Sequence, residues 1–327
     1  MVAATIRRKT AFSGLRPLDA TRDLGGVAAV VAEAFRGEMD PAGARAVREM
    51  RMIGWLGPLA WGLDLFAPLG EGFTPGFVWQ EEGRIVGNAT LRRATPFRQG
   101  WIVGNVAVLP EHRGRGIARQ LVEACVARAR DEGGEWVALE VRADNAPACH
   151  LYLSLGFQQT GAMMLLRRES HVPVKSVDVS EDIQVRKPRS GEGKTIFSLA
   201  QSVTPEGLRW AEPLRESEFV LGWDRSLDLW LSGQKESWWV APSDGKIIGA
   251  MEAQTFLNSR EEGRLRMWVA AGHHLHPALV HAAMARRELA SRSMVIACPA
   301  DDVEALQALA QFDFRSLRTL AHMKRDL

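Results

Sequence analysis

Of the 327 residues, 46% are hydrophobic and 24% charged, a balance that excludes a disordered or fibrous chain and suffices for two cores of ordinary domain size. The formal net charge of +2 is too small a bias for a nucleic-acid footprint built on bulk charge, so no nucleic-acid partner is expected. Three widely spaced cysteines, Cys125, Cys149 and Cys298, fit free thiols in a reducing compartment rather than a disulfide framework.

In chain order, Arg7-Arg8-Lys9 is followed by no apolar run, so no export leader is expected and the expected location is cytoplasmic. A strand is predicted over residues 12–18, then a helix over 20–35 with Leu24, Val27, Val31 and Phe35 on one face. Asp40 and Pro41 mark the start of a second helix as N-cap and first helical residue. Residues 52–70 are nearly all apolar, but Gly54, Gly57, Pro58, Gly62, Asp64 and Pro68 interrupt them. They read as an irregular buried or pocket-lining helix, not as a membrane span.

A hairpin follows, from Phe77-Val78-Trp79 through Glu81-Glu82-Gly83 into residues 85–91. Next come a strand over 102–109, a turn rich in arginine and glycine, and a helix presenting Ala118, Leu121, Val122, Cys125, Val126 and Ala129 on one face until Gly133-Gly134 stops it. A buried strand over 136–141, a short helix over 146–155 and a closing strand over 157–167 complete the half. Strand, helix and strand in that order imply a parallel pair joined by a crossover, hence an α/β fold with a mixed sheet. The pattern fades towards residue 182, which places a linker at 171–182 between domains at 1–170 and 183–327.

The second half repeats the order of the first. Gly83-Arg84-Ile85-Val86-Gly87 is echoed by Gly245-Lys246-Ile247-Ile248-Gly249, Leu121-Val122 with Arg128 by Leu279-Val280 with Arg286, and Phe157 by Phe314. The chemistry-bearing residues are missing from the copy: Gly272-His273-His274-Leu275-His276-Pro277 stands in place of the Arg/Gly turn, and Leu309 in place of Tyr152, the chain's one tyrosine. Trp223, Trp230, Trp238 and Trp239 read as core.

A glycine-rich turn between a strand and a helix aims backbone N–H groups at one point, where the helix N-terminus adds roughly half a positive charge. Arg113-Gly114-Arg115-Gly116-Ile117-Ala118 is therefore suited to phosphate oxygens, with Arg113, Arg115 and Arg119 as mobile positive charge around it. A dinucleotide fingerprint does not fit, because residues 110–113 separate the strand from the first glycine. This turn fits Q/R-x-x-G-x-G/A, and Asn145-x-x-Ala148-x-x-Leu151-Tyr152-x-x-x-Gly156-Phe157 fits N-x-x-A-x-x-L-Y-x-x-x-G-F. Both motifs, in this order, resemble those of the GNAT superfamily of acetyl-CoA-dependent N-acyltransferases over about residues 12–168.

The resemblance implies two tandem GNAT-like domains, each a twisted mixed sheet flanked by helices with splayed central parallel strands, the first catalytic and the second degenerate. It implies that backbone amides of Arg113, Gly114, Arg115, Gly116, Ile117 and Ala118 hold the coenzyme A pyrophosphate, and that pantetheine lies beside Val106, Ala107 and Val108 with Asn145 near its arm. A backbone N–H of that strand would stabilise the oxyanion. Tyr152 would protonate the departing thiolate, a task that suits a phenol of reference pKa about 10. The acceptor is a primary amine, expected to be that of a small molecule, with a peptide N-terminus as the alternative. A protein N-terminal acetyltransferase and an acetyl-CoA-binding sensor without turnover are the rival functions.

The general base is left open among Asn105, Glu140, His112 and His150, for each of which a surface or hydrogen-bonding role is the simpler reading. Cys149 neighbours Tyr152, but no histidine and acid frame it, so direct transfer is expected. His273, His274, His276 and His281 lack accompanying carboxylate or cysteine spacing, so a solvated turn and no metal are expected. Either a monomer or a homodimer fits.

Overall fold

The computed structural model describes residues 12–37, 44, 47–48, 51, 73–97, 99–173, 183–257 and 261–327. The arginine-rich start, the helix expected at Asp40-Pro41, the apolar 52–70 stretch and most of the 171–182 linker lie outside the described residues. The chain forms two compact units: one of Met1–Glu140, His150–Gln158 and Met323–Leu327, the other of Val141–Cys149 and Gln159–His322. No helix among the described residues is long and apolar enough to cross a membrane.

In the first unit, β1 (Gly14–Pro17), β2 (Phe73–Glu81), β3 (Arg84–Arg93) and β4 (Gly100–Val108) pair antiparallel in sequence order, and β5 (Trp136–Arg142) joins β4 in parallel. Helix α1 (Ala20–Ala34) starts where the Asp19 side chain accepts the Thr21 N–H at 2.9 Å, and buries Leu24, Val27, Ala28, Val30 and Val31. Buried Asp23 takes both arms of Arg16 at 2.6 and 2.8 Å, which satisfies its charge. Helix α2 (Ile117–Asp131) buries Leu121, Val122, Cys125, Val126 and Ala129. Both helices pack on β3, whose run from Ile85 to Ala89 is buried without alternation, as in a strand covered on both faces. After β5 come α3 (Ala146–Ser154) and β6 (Gln158–Arg168).

The second half of the chain runs through α4 (Gly193–Val203), α5 (Trp223–Leu231), β7 (Gln234–Ser243), β8 (Lys246–Phe256), β9 (Gly263–Val269), α6 (His276–Met284), α7 (Arg287–Ala290), β10 (Met294–Pro299), α8 (Val303–Gln311) and β11 (Arg315–Asp326), the last of which passes from the second unit into the first after His322. From β7 onward the order is that of β2 to β6, with α7 added after α6. Strands β7, β8 and β9 are antiparallel neighbours, β9 joins β10 in parallel, and β10 pairs antiparallel with β6. Adjacent Trp238 and Trp239 point to opposite faces, one into a cluster with Ile196, Phe219 and Trp268, the other into one with Met251, Leu279 and Phe312. The core reading fails for Trp230, which is 60% exposed on α5.

The repeat extends to hydrogen bonds. Phe157 N–H donates to the Tyr152 carbonyl at 3.1 Å, and Phe314 N–H to the Leu309 carbonyl at 3.1 Å. Gly156 and Asp313 both take positive φ, 81° and 63°, to close their helices. At the start of the same helices, the Asn145 side chain accepts from Ala148 N–H at 3.2 Å, and that of Asp302 from Ala305 N–H at 3.0 Å.

Candidate active site

The parallel ladder between β4 and β5 runs from Gly100↔Trp136 to Ile102↔Ala138, although β4 continues to Val108 and β5 to Arg142. Beyond Ile102, β4 is bulged: Asn88 faces Ala107 while Thr90 faces Gly104, so β4 carries an extra residue. Asn105 absorbs the bend at φ 50°, a conformation asparagine tolerates better than a branched residue. Two side chains of β3 pin it. Asn88 Nδ2 donates to the Asn105 carbonyl at 2.7 Å, and Thr90 Oγ1 to the Gly104 carbonyl at 2.9 Å. Alternate residues of a strand address opposite neighbours, so part of the Val106, Ala107 and Val108 backbone is directed to the side where the β5 ladder has ended.

After β4, a short 3₁₀ turn over Pro110–His112 leads to Arg113 and to Gly114 and Gly116 at φ 75° and 77°. A Cβ at either glycine would meet nothing within 4 Å, so glycine serves the backbone conformation and leaves open space in front of it. Helix α2 then begins at Ile117 with no side-chain cap and no acid in its first turn. Its leading N–H groups and helix dipole are thus not met by a side chain of the helix itself.

The arginines are held rather than mobile. Arg115 forks onto Glu81 at 2.6 and 3.2 Å, Arg113 Nε donates to the Val108 carbonyl at 3.1 Å, and Arg119 Nη2 donates to Ser154 Oγ at 2.7 Å. His112 lies 3.3 Å from the same Glu81. Burial pushes the Glu81 carboxyl up, but hydrogen bonds from Arg115 and Trp79 outweigh it and hold it below the usual carboxylate range.

Tyr152 lies on α3, 6% exposed, with its ring edge-on to Phe157 at 6.0 Å. With residues 106–108 and 113–118 it belongs to the first unit, whereas Asn145 falls in the second and serves as the cap of α3. Cys149, half-buried, donates from Sγ to the Arg142 carbonyl at 3.6 Å. Among the described residues no three His, Cys, Asp or Glu side chains converge as metal ligands. The sequence reading missed Glu81, Asn88, Thr90 and Ser154; an Asn105 set within an apolar strand was the one visible sign of the bulge.

Residues 50–157 match the model of the "Acetyltransferase (GNAT) family". This segment, which holds the glycine turn and Tyr152, is the part of the chain that is similar to the GNAT family. A mycothiol acetyltransferase of Acidothermus cellulolyticus is 30% identical over 178 residues, 53% of this chain and 50% of that protein. The N-alpha-acetyltransferase RimI of Mycobacterium tuberculosis is 43% identical over 82 residues, 24% of this chain and 49% of that protein. The chain thus spans about half the length of these curated relatives.

Two solved structures share the fold along the chain. A GCN5-related N-acetyltransferase from Sphaerobacter thermophilus has TM-score 0.63 at 15% identity, covering 95% of both chains. A tandem GNAT protein from the clavulanic acid biosynthesis pathway has TM-score 0.54 at 16% identity, covering 95% of this chain and 98% of that one. Both halves here are GNAT-like folds in tandem.

The second GNAT-like half has a parallel ladder of the same short extent, Gly263↔Met294 to Leu265↔Ile296. Strands β8 and β9 pair from Gly249↔Val269 to Gln254↔Arg264 without a bulge. Where Thr90 pins the first bulge, Glu252 is buried instead, with its carboxylate 2.5 Å from Arg266. The histidine turn is only partly solvated. His274 is exposed and 3.0 Å from Glu304, but His276 opens α6 at 7% exposure between Asp302 and Glu304. Burial pushes the His276 imidazole down, against the pull of those two carboxylates.

Proposed function

We propose that the first half is an N-acetyltransferase that takes acetyl-CoA and a primary amine. The observation that carries this reading is the ladder between β4 and β5 that ends at Ile102↔Ala138, beside a turn whose glycines face open space. The Val103–Val108 stretch is about 20 Å long at roughly 3.3 Å per residue, enough to accompany an extended chain added in the manner of a strand. The donor set of the turn suits a pyrophosphate, so the residues present fit this substrate. Bound there, acetyl-CoA supplies an activated acyl group on a thiol leaving group.

The protein's own part is positional. Backbone N–H groups of Arg113, Gly114, Arg115, Gly116, Ile117 and Ala118 bind the phosphates, while Val106, Ala107 and Val108 align the arm and polarise the acyl oxygen. Tyr152 gives the proton of its phenol to the leaving sulfur. The amine attacks directly, without an acyl-Cys149.

Thiol release from acetyl-CoA across a panel of amines tests the reading. Tyr152→Phe is expected to keep acetyl-CoA affinity and to lower kcat about 10²-fold. Binding without turnover on any amine would replace the enzyme with a sensor. The likeness to RimI over 82 residues favours a second acceptor class, so peptides with free N-termini belong in the panel beside small amines.

A further inference from the structure

The first unit is completed by the far end of the chain. Met323–Leu327 belong to it: Met323 is buried, Lys324 Nζ lies 5.5 Å from the Trp136 ring centre, and Leu327 N–H donates to the Glu135 carbonyl at 2.9 Å. Between them, Arg325 Nη1 donates to the Leu155 carbonyl at 2.6 Å, immediately beyond the last residue of α3. The last carbonyls of a helix have no partner within it, and a cation there also meets the negative end of its dipole. Leu155 is three residues past Tyr152, and its own N–H donates back to the Leu151 and Tyr152 carbonyls at 3.1 and 3.0 Å. Arg325 is thereby tied through one residue to the turn that carries the phenol.

The repeat shows that an arginine recurs at this position of the closing strand. The spacing that matches Phe157 to Phe314 also matches Arg168, the last residue of β6, to Arg325 near the end of β11. Arg168 belongs to the second unit and is fully buried, donating to the Ala290 carbonyl at 3.0 Å. Arg168 in turn feels the charge of Asp313, the residue equivalent to Gly156 at the end of α8, against the larger effect of its own burial. Each unit thus holds an arginine from the closing strand of the other repeat; only that of the first unit bonds to the end of the short helix, and only that helix carries a tyrosine.

We infer that Arg325 is a positioning residue for Tyr152, fixing the end of α3 so that the phenol meets the leaving sulfur. This rests on the acetyltransferase reading above. Acetyl-CoA and the most active amine of the panel are assayed with Arg325→Ala, Arg325→Lys and Tyr152→Phe, singly and as the Arg325→Ala/Tyr152→Phe double variant. Hydrogen exchange of residues 151–157 is followed alongside.

Arg325→Ala is expected to lower kcat roughly 10- to 100-fold, the scale of a misplaced catalytic group, with KM for acetyl-CoA within about twofold. Arg325→Lys should recover much of that loss, and in the Tyr152→Phe background Arg325→Ala should add almost nothing. Exchange at the end of α3 should quicken in Arg325→Ala. Equal losses in both backgrounds, a rise in KM instead of a fall in kcat, or unchanged exchange would overturn the inference. Should Arg325→Ala not fold, the same comparisons are made with Arg325→Gln, whose amide reaches less far. Loss of the effect of Tyr152→Phe itself would sink the acid assignment, and absence of turnover in the unaltered protein would sink the enzyme reading, while the exchange result still judges Arg325.

Discussion

At the scale of single residues, the charge around the glycine turn is set by a competition that composition does not reveal. Arg115 has two anions available to it, the Glu81 carboxylate it already grips and the phosphate that the proposed function brings. Replacing Glu81 with Gln removes one negative charge beside the anion cradle and releases the guanidinium. Acetyl-CoA is then expected to bind about two- to fivefold more tightly by calorimetry at low salt, with the gain fading at roughly 0.5 M salt as screening sets in. The cysteines divide by the same kind of local reasoning. Burial pushes the Cys125 and Cys298 thiols up to about 12, whereas Cys149 is half-buried near the surface of α3. Iodoacetamide at about pH 8 should therefore label Cys149 in the folded protein, and mass spectrometry should find the other two modified only after unfolding.

At the scale of elements, most of the architecture was legible because periodicity and turn chemistry agree. Helix α1 follows the Leu24, Val27, Val31 face, and the Glu82-Gly83 hairpin has its counterpart at Asp244-Gly245, all four residues at positive φ. What sequence could not show is where distant elements meet. Arg115 finds Glu81 on β2, Trp230 turns outward from a helix whose neighbours suggested core, and Asn145 caps α3 locally, a signal that its place just before the helix did carry. Helix α4 gives a pH test at this scale. Glu192 precedes it, gripped by both arms of Arg186 at 2.7 and 2.9 Å and by the Arg189 N–H at 2.6 Å, and the arginine bonds hold its carboxyl at about 2 against an ordinary 4.5. Between those values the unfolded chain binds more protons than the folded one, so this contribution is fully present above about 4.5 and is lost as pH falls towards 2. Urea midpoints measured from about pH 6 down to pH 2.5 should fall more steeply in the unaltered protein than in Glu192→Gln, and the two curves should converge at the acid end.

At the scale of the whole molecule, the two repeats preserve the same frame, the short parallel ladder included, and differ in the bulge, the glycine turn and the phenol that the proposed chemistry uses beside it. Both end the central parallel ladder early and cap the short helix at the matching position. Only the first has the bulge at Asn105, the two glycines at positive φ before its helix, and a phenol at the helix end. In the second, Asp302 and Glu304 lie by the opening residue of α6, where their negative charge opposes a phosphate at the helix N-terminus. Calorimetry should therefore give a stoichiometry near one acetyl-CoA per chain. Gly116→Ala, which forces a Cβ onto a backbone at φ 77°, should weaken that single event, and no weaker second event should emerge at higher concentration. Leu309→Tyr restores the phenol alone, with neither bulge nor glycine turn beside it, and should leave turnover unchanged within about twofold, because a proton donor contributes only where the leaving group is held within hydrogen-bond reach. A stoichiometry near two, or a gain in turnover from Leu309→Tyr, would mean that the frame alone suffices to bind the substrate and that the bulge and the glycines serve the chemistry rather than the grip.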